Sequence, residues 1–156
     1  MLKDVIANLL ERHQDKMLAG QVADIPDAQM SAQPIAGMNH PAWLLGHILG
    51  LEHKVATSVM GRSLSLQLPA DWWDIYGIGS TPKAEPKLYK SKAFYMQGLD
   101  ETSKAIAAYI REMKDADLAN PLPDPLLAKS FPNFETLLVA LPTHRAYHAG
   151  QIAIWR

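Results

Sequence analysis

The chain has 156 residues, 48% of them hydrophobic and 20% charged, with 15 Lys and Arg against 16 Asp and Glu. That is the size and composition of one globular domain, 1–156, and it excludes wholesale disorder; the balanced charge leaves no basic footprint for nucleic acid or a membrane surface. No apolar run reaches the roughly eighteen residues of a membrane span, and the absence of cysteine removes disulfides, thiolate ligands and cysteine nucleophiles together.

Stepping roughly 100° per residue, four stretches carry helical periodicity. The first runs from about Leu2 to Val22, with Leu2, Val5, Ile6, Leu9, Leu10, His13 and Met17 on one face. Its opening Met-Leu-Lys-Asp, with Asn8 interrupting the apolar residues, reads as the start of a helix rather than a secretion signal. It should end near Asp24, because Pro26 disfavours helix at Ile25. The second helix should start near Pro41, which suits a first turn where its missing N–H would be unpaired anyway. Leu44, Ile48, Leu51, Val55 and Val59 form its stripe, and Gly61 is a natural stop.

The stretch from Gly61 to Pro86 is irregular and holds Trp72, Trp73 and Tyr76. Aromatic residues need something to pack on. The segment therefore reads as a lid over one end of the core, and, compatibly, as the wall of a substrate pocket. A third helix is expected from about Tyr89 to Asp115, with Tyr95, Met96, Leu99, Ile106, Ile110 and Met113 inward. A linker with Pro121, Pro123, Pro125 and Pro132 leads to a last helix from Asn133 or Phe134 to the C-terminus. Pro142 inside it should kink it or shift its start. No strand has a partner, so the expectation is an all-α four-helix bundle.

The histidines carry the chemistry. On the last helix His144 and His148 fall within about 20° of Leu137, at the centre of the inward stripe. Two histidines four apart present both imidazoles on one face, where one ion can bind both. Burying them is costly unless their nitrogens have partners, and a metal would satisfy two at once. His47 lies on the inner side of the second helix and can meet them if the two helices are neighbours. The remaining histidines read as structural: His13 as a hydrogen-bonded core or rim residue, His40 as a helix cap, His53 as a solvated surface residue. Arg145 stands where a zincin protease needs Glu, so that route to peptide hydrolysis is not indicated.

Two segments, Asn39-His40-Pro41-Ala42-Trp43-Leu44-Leu45-Gly46-His47-Ile48 and His144-Arg145-Ala146-Tyr147-His148-Ala149-Gly150-Gln151-Ile152, resemble the second-helix and C-terminal motifs of the DinB/YfiT-like superfamily. The resemblance implies an up-down-down-up four-helix bundle, often a homodimer, with a divalent metal, commonly nickel or zinc, on the matching His47, His144 and His148. It further implies a thiol-dependent S-transferase or isomerase using a low-molecular-weight thiol cosubstrate, or a metal-dependent hydrolase. Pro142 and the chain's stop at Arg156, soon after the Gln-Ile pair, depart from the usual pattern.

Three neutral imidazoles leave an ion with open positions, the arrangement of catalytic sites. With no cysteine in the chain, a sulfur nucleophile would have to come from a small-molecule substrate. Gln151, one turn beyond His148, could hold a ligand or bound water, or simply pack. Glu52 could serve as a base, with a surface position the simpler expectation. Arg145 and Tyr147 flank the ligands and could bind an anionic group or lie at a subunit contact. Trp72, Trp73 and Tyr76 are candidates for a pocket wall. The competing expectation is a non-catalytic metal-binding or interaction bundle, such as a dimeric stress-response protein. A cytoplasmic location fits the lack of cysteine.

Overall fold

The computed structural model describes residues 2–156, apart from the side chains of residues 13–15. Secondary structure among them is helical throughout. The first rod is α1 (Leu2–Arg12), a π-helical passage (His13–Leu18) and α2 (Ala19–Val22). Its end is held from outside: Lys92 Nζ donates to the carbonyls of Val22, Ala23 and Ile25 at 3.0, 2.9 and 2.8 Å, supplying donors to carbonyls the helix end leaves orphaned. The inward orientation expected for His13 falls on a side chain outside those described.

The second rod is α3 (Pro41–Lys54), continued by π-helical turns (Val55–Val59). His40 caps it as anticipated: its Nδ1 accepts from the Trp43 N–H at 3.2 Å, while its Nε2–H donates to the Lys83 carbonyl. Within the irregular stretch the structure forms a short helix, α4 (Trp72–Tyr76), that periodicity over so few residues cannot reveal. The third rod, α5 (Lys92–Glu112), begins three residues later than Tyr89 because the Ser91 hydroxyl takes the Phe94 N–H and sets the cap there. It ends at Met113, whose backbone turns extended.

The last rod, α6 (Phe134–Trp155), opens on a reciprocal cap in which Asn133 and Thr136 satisfy each other's backbone N–H groups. It passes through Pro142 without a break, so the start is not displaced.

Helix α1 packs on α5 and α6, and α3 packs on the same two, which closes a ring of four rods. The core has two parts. One joins Leu10, Val55, Ile106, Phe134 and Leu141. The other joins Leu45, Ile48, Trp72, Tyr76, Tyr95 and Ile152, and it lies on the side that carries the histidines of α3 and α6.

One polar cluster ties the ring together. Arg145 on α6 and Glu52 on α3 form a two-pronged ion pair with side chains 0% and 1% exposed. The same guanidinium donates to the Leu10 carbonyl of α1 and to the Ser103 hydroxyl of α5, both at 2.6 Å. Thr102 donates to the second Glu52 oxygen at 3.1 Å. A single side chain thus reaches all four rods, and the buried charges are paired and hydrogen-bonded as burial requires. This corrects two expectations. Glu52 is not at the surface, and Arg145 is not free to meet an anion. His53 is corrected too: it is half-buried under the 61–71 segment, with its Nε2–H donating to the Leu66 carbonyl at 3.0 Å.

Candidate metal centre

His47 comes from the middle of α3, His144 and His148 from adjacent turns of α6, and the packing of α3 on α6 brings them together. Their ligand-capable nitrogens all lie within 4.8 Å of one another. Nε2 of His144 is 2.9 Å from Nε2 of His148 and 3.3 Å from Nε2 of His47. Two imidazole nitrogens sharing one tetrahedral ion, each about 2.0–2.1 Å from it, would be about 3.3 Å apart, so the spacing is that of a ligand set.

The surroundings fix which nitrogens point inward. His47 donates from Nδ1 to the Tyr76 carbonyl at 2.8 Å, and a carbonyl can only accept. His148 donates from Nδ1 to Oε1 of Gln151 at 2.7 Å. In both rings the proton sits on Nδ1, and the Nε2 lone pair is left facing the centre. Outer hydrogen bonds of this kind orient histidine ligands and raise their basicity. His144 is different: its Nδ1 is buried and has no partner. Its Nε2 therefore stands between two lone pairs, with no third acceptor or donor on the ring's other side. With the His144 proton on Nδ1, a cation among the three Nε2 atoms would take all three lone pairs at ligand spacing, so the residues fit a divalent metal.

Burial reinforces the neutral state. Removal from water, then the neighbouring His148 and His47, push His144 down to about 3. Burial also lowers His148, against the opposing pull of its bond to Gln151. Neutral imidazoles are the metal-binding form.

The aromatic segment holds the site from outside. Trp43 stacks on His47 with centroids 5.0 Å apart and planes 7° from parallel. Its indole N–H reaches the Ile75 carbonyl at 2.8 Å and Ser80 Oγ at 2.9 Å. Trp72 donates to the Gly46 carbonyl at 3.1 Å, and the Tyr76 hydroxyl meets that of Tyr95 at 2.7 Å. Helix α4 can lie this close because α3 presents glycines. A Cβ on Gly46 would come within 2.2 Å of two Tyr76 ring carbons, and one on Gly50 within 2.7 Å of Trp72 Nε1. The lid reading of 61–86 therefore describes its packing, and the lid also delivers the carbonyl that orients His47.

The pocket-wall candidates separate. Trp72 and Tyr76 are buried and brace His47 from behind. Trp73 is 44% exposed and lines a cleft of about 420 Å³ together with His47, His144, Leu51, Leu127 and Phe131. A second cleft, of about 330 Å³, shares Leu51, Phe131 and His144 and extends to Tyr147. Tyr147 is largely exposed and its ring meets His148 edge-on at 5.1 Å. Gln151 is half-buried beside His148, and Glu52 and Arg145 stay in their own ion pair. The residues that sequence reasoning missed are the Tyr76 backbone, the glycines of α3, and Phe131 of the linker.

Residues 9–152 match the sequence model of the DinB superfamily. The chain belongs to the DinB superfamily. Among solved structures it is similar to a conserved protein from Enterococcus faecalis, with a TM-score of 0.67 and 16% identity, over 99% of this chain and 94% of that one. At that identity the likeness speaks for the shared fold. No curated protein sequence matches significantly. No described helix of this DinB protein is long and apolar enough to cross a membrane.

Proposed function

We propose that this protein binds one divalent metal ion, nickel or zinc, through His47, His144 and His148, and uses it in a reaction on a small molecule of the S-transferase or hydrolase type. The observation that carries the reading is the convergence of three Nε2 atoms, two of them held in the ligand tautomer by Tyr76 and Gln151. When bound, such an ion supplies a Lewis acid that lowers the pKa of a thiol or water, or polarises a carbonyl. The chain's own residues do the rest. Trp43 and the Tyr76 carbonyl hold the His47 ring, Gln151 holds the His148 ring, and the Arg145 ion pair locks α6 beside α3 one residue from His144. Trp73, Leu51 and Phe131 make the approach to His47 and His144 largely apolar. Since the chain has no cysteine, a thiol in this chemistry belongs to the substrate. The reading carries with it the family's up-down-down-up helix order and a homodimeric, cytoplasmic protein.

The test is metal content by mass spectrometry on protein purified without a histidine tag, beside His47→Ala and His148→Ala. Near one equivalent in the wild type, lost in both variants, supports the centre and makes thiol-transfer and hydrolysis assays the next step. A wild type that takes up neither nickel nor zinc refutes it. Metal without turnover across those substrates would favour a non-catalytic metal-binding bundle.

A further inference from the structure

The chemistry of the cleft walls narrows what can reach the three histidines. The cleft of about 420 Å³ is lined by Leu51, Trp73, Ile78, Leu126, Leu127 and Phe131, with Lys54 and Ser130 toward its rim. Its polar groups at depth are His47 and His144. The adjoining cleft adds Leu137, Ala140, Leu141, Thr143 and Tyr147, none of them charged.

Lys54 is the one charged side chain of the larger cleft, and it is already neutralised. Its Nζ lies 3.2 Å from Oδ2 of Asp124, and the two side chains are only 25% and 11% exposed. Asp124 is not free to swing away. Its Oδ1 accepts the N–H groups of Leu126 and Leu127, both at 2.9 Å. These bonds, with the charge of Lys54, hold its carboxyl below the usual carboxylate range. The carboxylate therefore pins the wall residues Leu126 and Leu127 and cancels the cationic side chain of the wall.

We propose, building on the metal-centre reading, that this cleft takes a small molecule with an uncharged, mainly apolar body, aromatic or branched, that presents one electron-pair donor atom toward His47 and His144. The wall area rewards apolar surface at roughly 25 cal/mol for each Å² buried. Away from the donor atom it gives nothing to a carboxylate, whose desolvation would find no unpaired cation among the wall side chains. A polyanionic thiol is accordingly a poor occupant, and a thiol or ester attached to an apolar body is a good one. Leu126, Ile78 and Trp73, at 63%, 96% and 44% exposure, are the apolar surfaces left for such a body to cover.

The probes are imidazole, 4-phenylimidazole and 4-(imidazol-4-yl)benzoate, titrated into zinc-loaded protein of measured stoichiometry and followed by calorimetry. The phenyl compound should bind at least about tenfold tighter than imidazole, as expected for burying one aromatic ring. The benzoate should lose most of that gain. Phe131→Ala and Ile78→Ser should each shrink the ratio of phenylimidazole to imidazole affinity; Ile78 is nearly fully exposed, so its variant keeps the fold. Equal affinity for imidazole and its phenyl derivative, or preference for the benzoate, overturns the inference while a zinc stoichiometry near one leaves the metal centre standing. Failure to retain zinc overturns both.

Discussion

Replacing Arg145 by Met removes the side chain that joins the four rods. The guanidinium makes two bonds to Glu52, one to the Leu10 carbonyl and one to Ser103, all buried. Its loss leaves the Glu52 carboxylate without its counter-charge in a site from which water is excluded. Breaking a buried pair from one side costs about 3–5 kcal/mol. Domains of this size have only about 5–15 kcal/mol of stability in all. With a urea dependence of about 2 kcal/mol per molar, the unfolding midpoint should fall by about 2 M. The double variant Glu52→Leu with Arg145→Met removes both charges and should regain most of the loss, because an apolar pair of similar volume avoids the desolvation penalty. The remaining deficit should be about 1–2 kcal/mol, from the lost guanidinium bonds to the Leu10 carbonyl and to the Ser103 hydroxyl, which keeps its own bond to the Leu99 carbonyl. Urea unfolding of the wild type, both single variants and the double variant measures the cycle. A single variant within about 1 kcal/mol of the wild type, or a double variant no better than Arg145→Met alone, would refute the reasoning.

Gly46→Ala should destabilise by about 1–3 kcal/mol, because its methyl must displace the Tyr76 ring; it should also weaken zinc binding, since the Tyr76 carbonyl orients His47, and unaltered zinc affinity in the folded variant would count against that link. Gln151→Leu should reduce metal affinity about 10–100-fold with little change in unfolding midpoint, read by competition with a coloured chelator. Buried His40 is held to about 4 by desolvation, against hydrogen bonds that favour its charged form. Its folded pKa lies below its unfolded value of 6.5, so its contribution is complete above 6.5 and is lost as pH falls toward 4, by about 3 kcal/mol at most. Protonating Nδ1 would set it against the Trp43 N–H it now caps. His40→Asn keeps a capping oxygen without the titration, so its stability should fall less steeply than the wild type's between pH 6.5 and 4; parallel profiles would contradict this.

How much of this was legible in the sequence follows from which signals are local. The four rods and the three ligands show in periodicity because their inward positions repeat every three to four residues. The cap at Asn133 and the proline at the start of α3 are equally local. The Arg145–Glu52 pair is not. Each residue taken alone has the chemistry of a surface side chain, and only the packing of α3 against α6, 93 residues apart, gives it a reason to be inside. The same holds for Tyr76. Its side chain suggested a pocket wall, but its contribution to the centre comes from a backbone carbonyl, which carries no sequence signature. Gly46 and Gly50 carry no sequence signal of their role, which is the clearance that lets Trp72 and Tyr76 settle on α3. His53 was assigned to solvent because nothing local announces that the 61–71 segment folds back over it.

His47 and His144 are separated by 97 positions. In a chain without cysteine, an ion held between them would close that long loop as a disulfide does elsewhere. For a loop near this length the chain-entropy estimate is roughly 4–5 kcal/mol. Unlike a covalent bridge, this fastening would be set by the free metal concentration and not by redox potential, because the native state alone assembles the ligands. The protein's resistance to unfolding would then read out the metal supply around it, tightening as the ion becomes abundant and loosening as it is withdrawn.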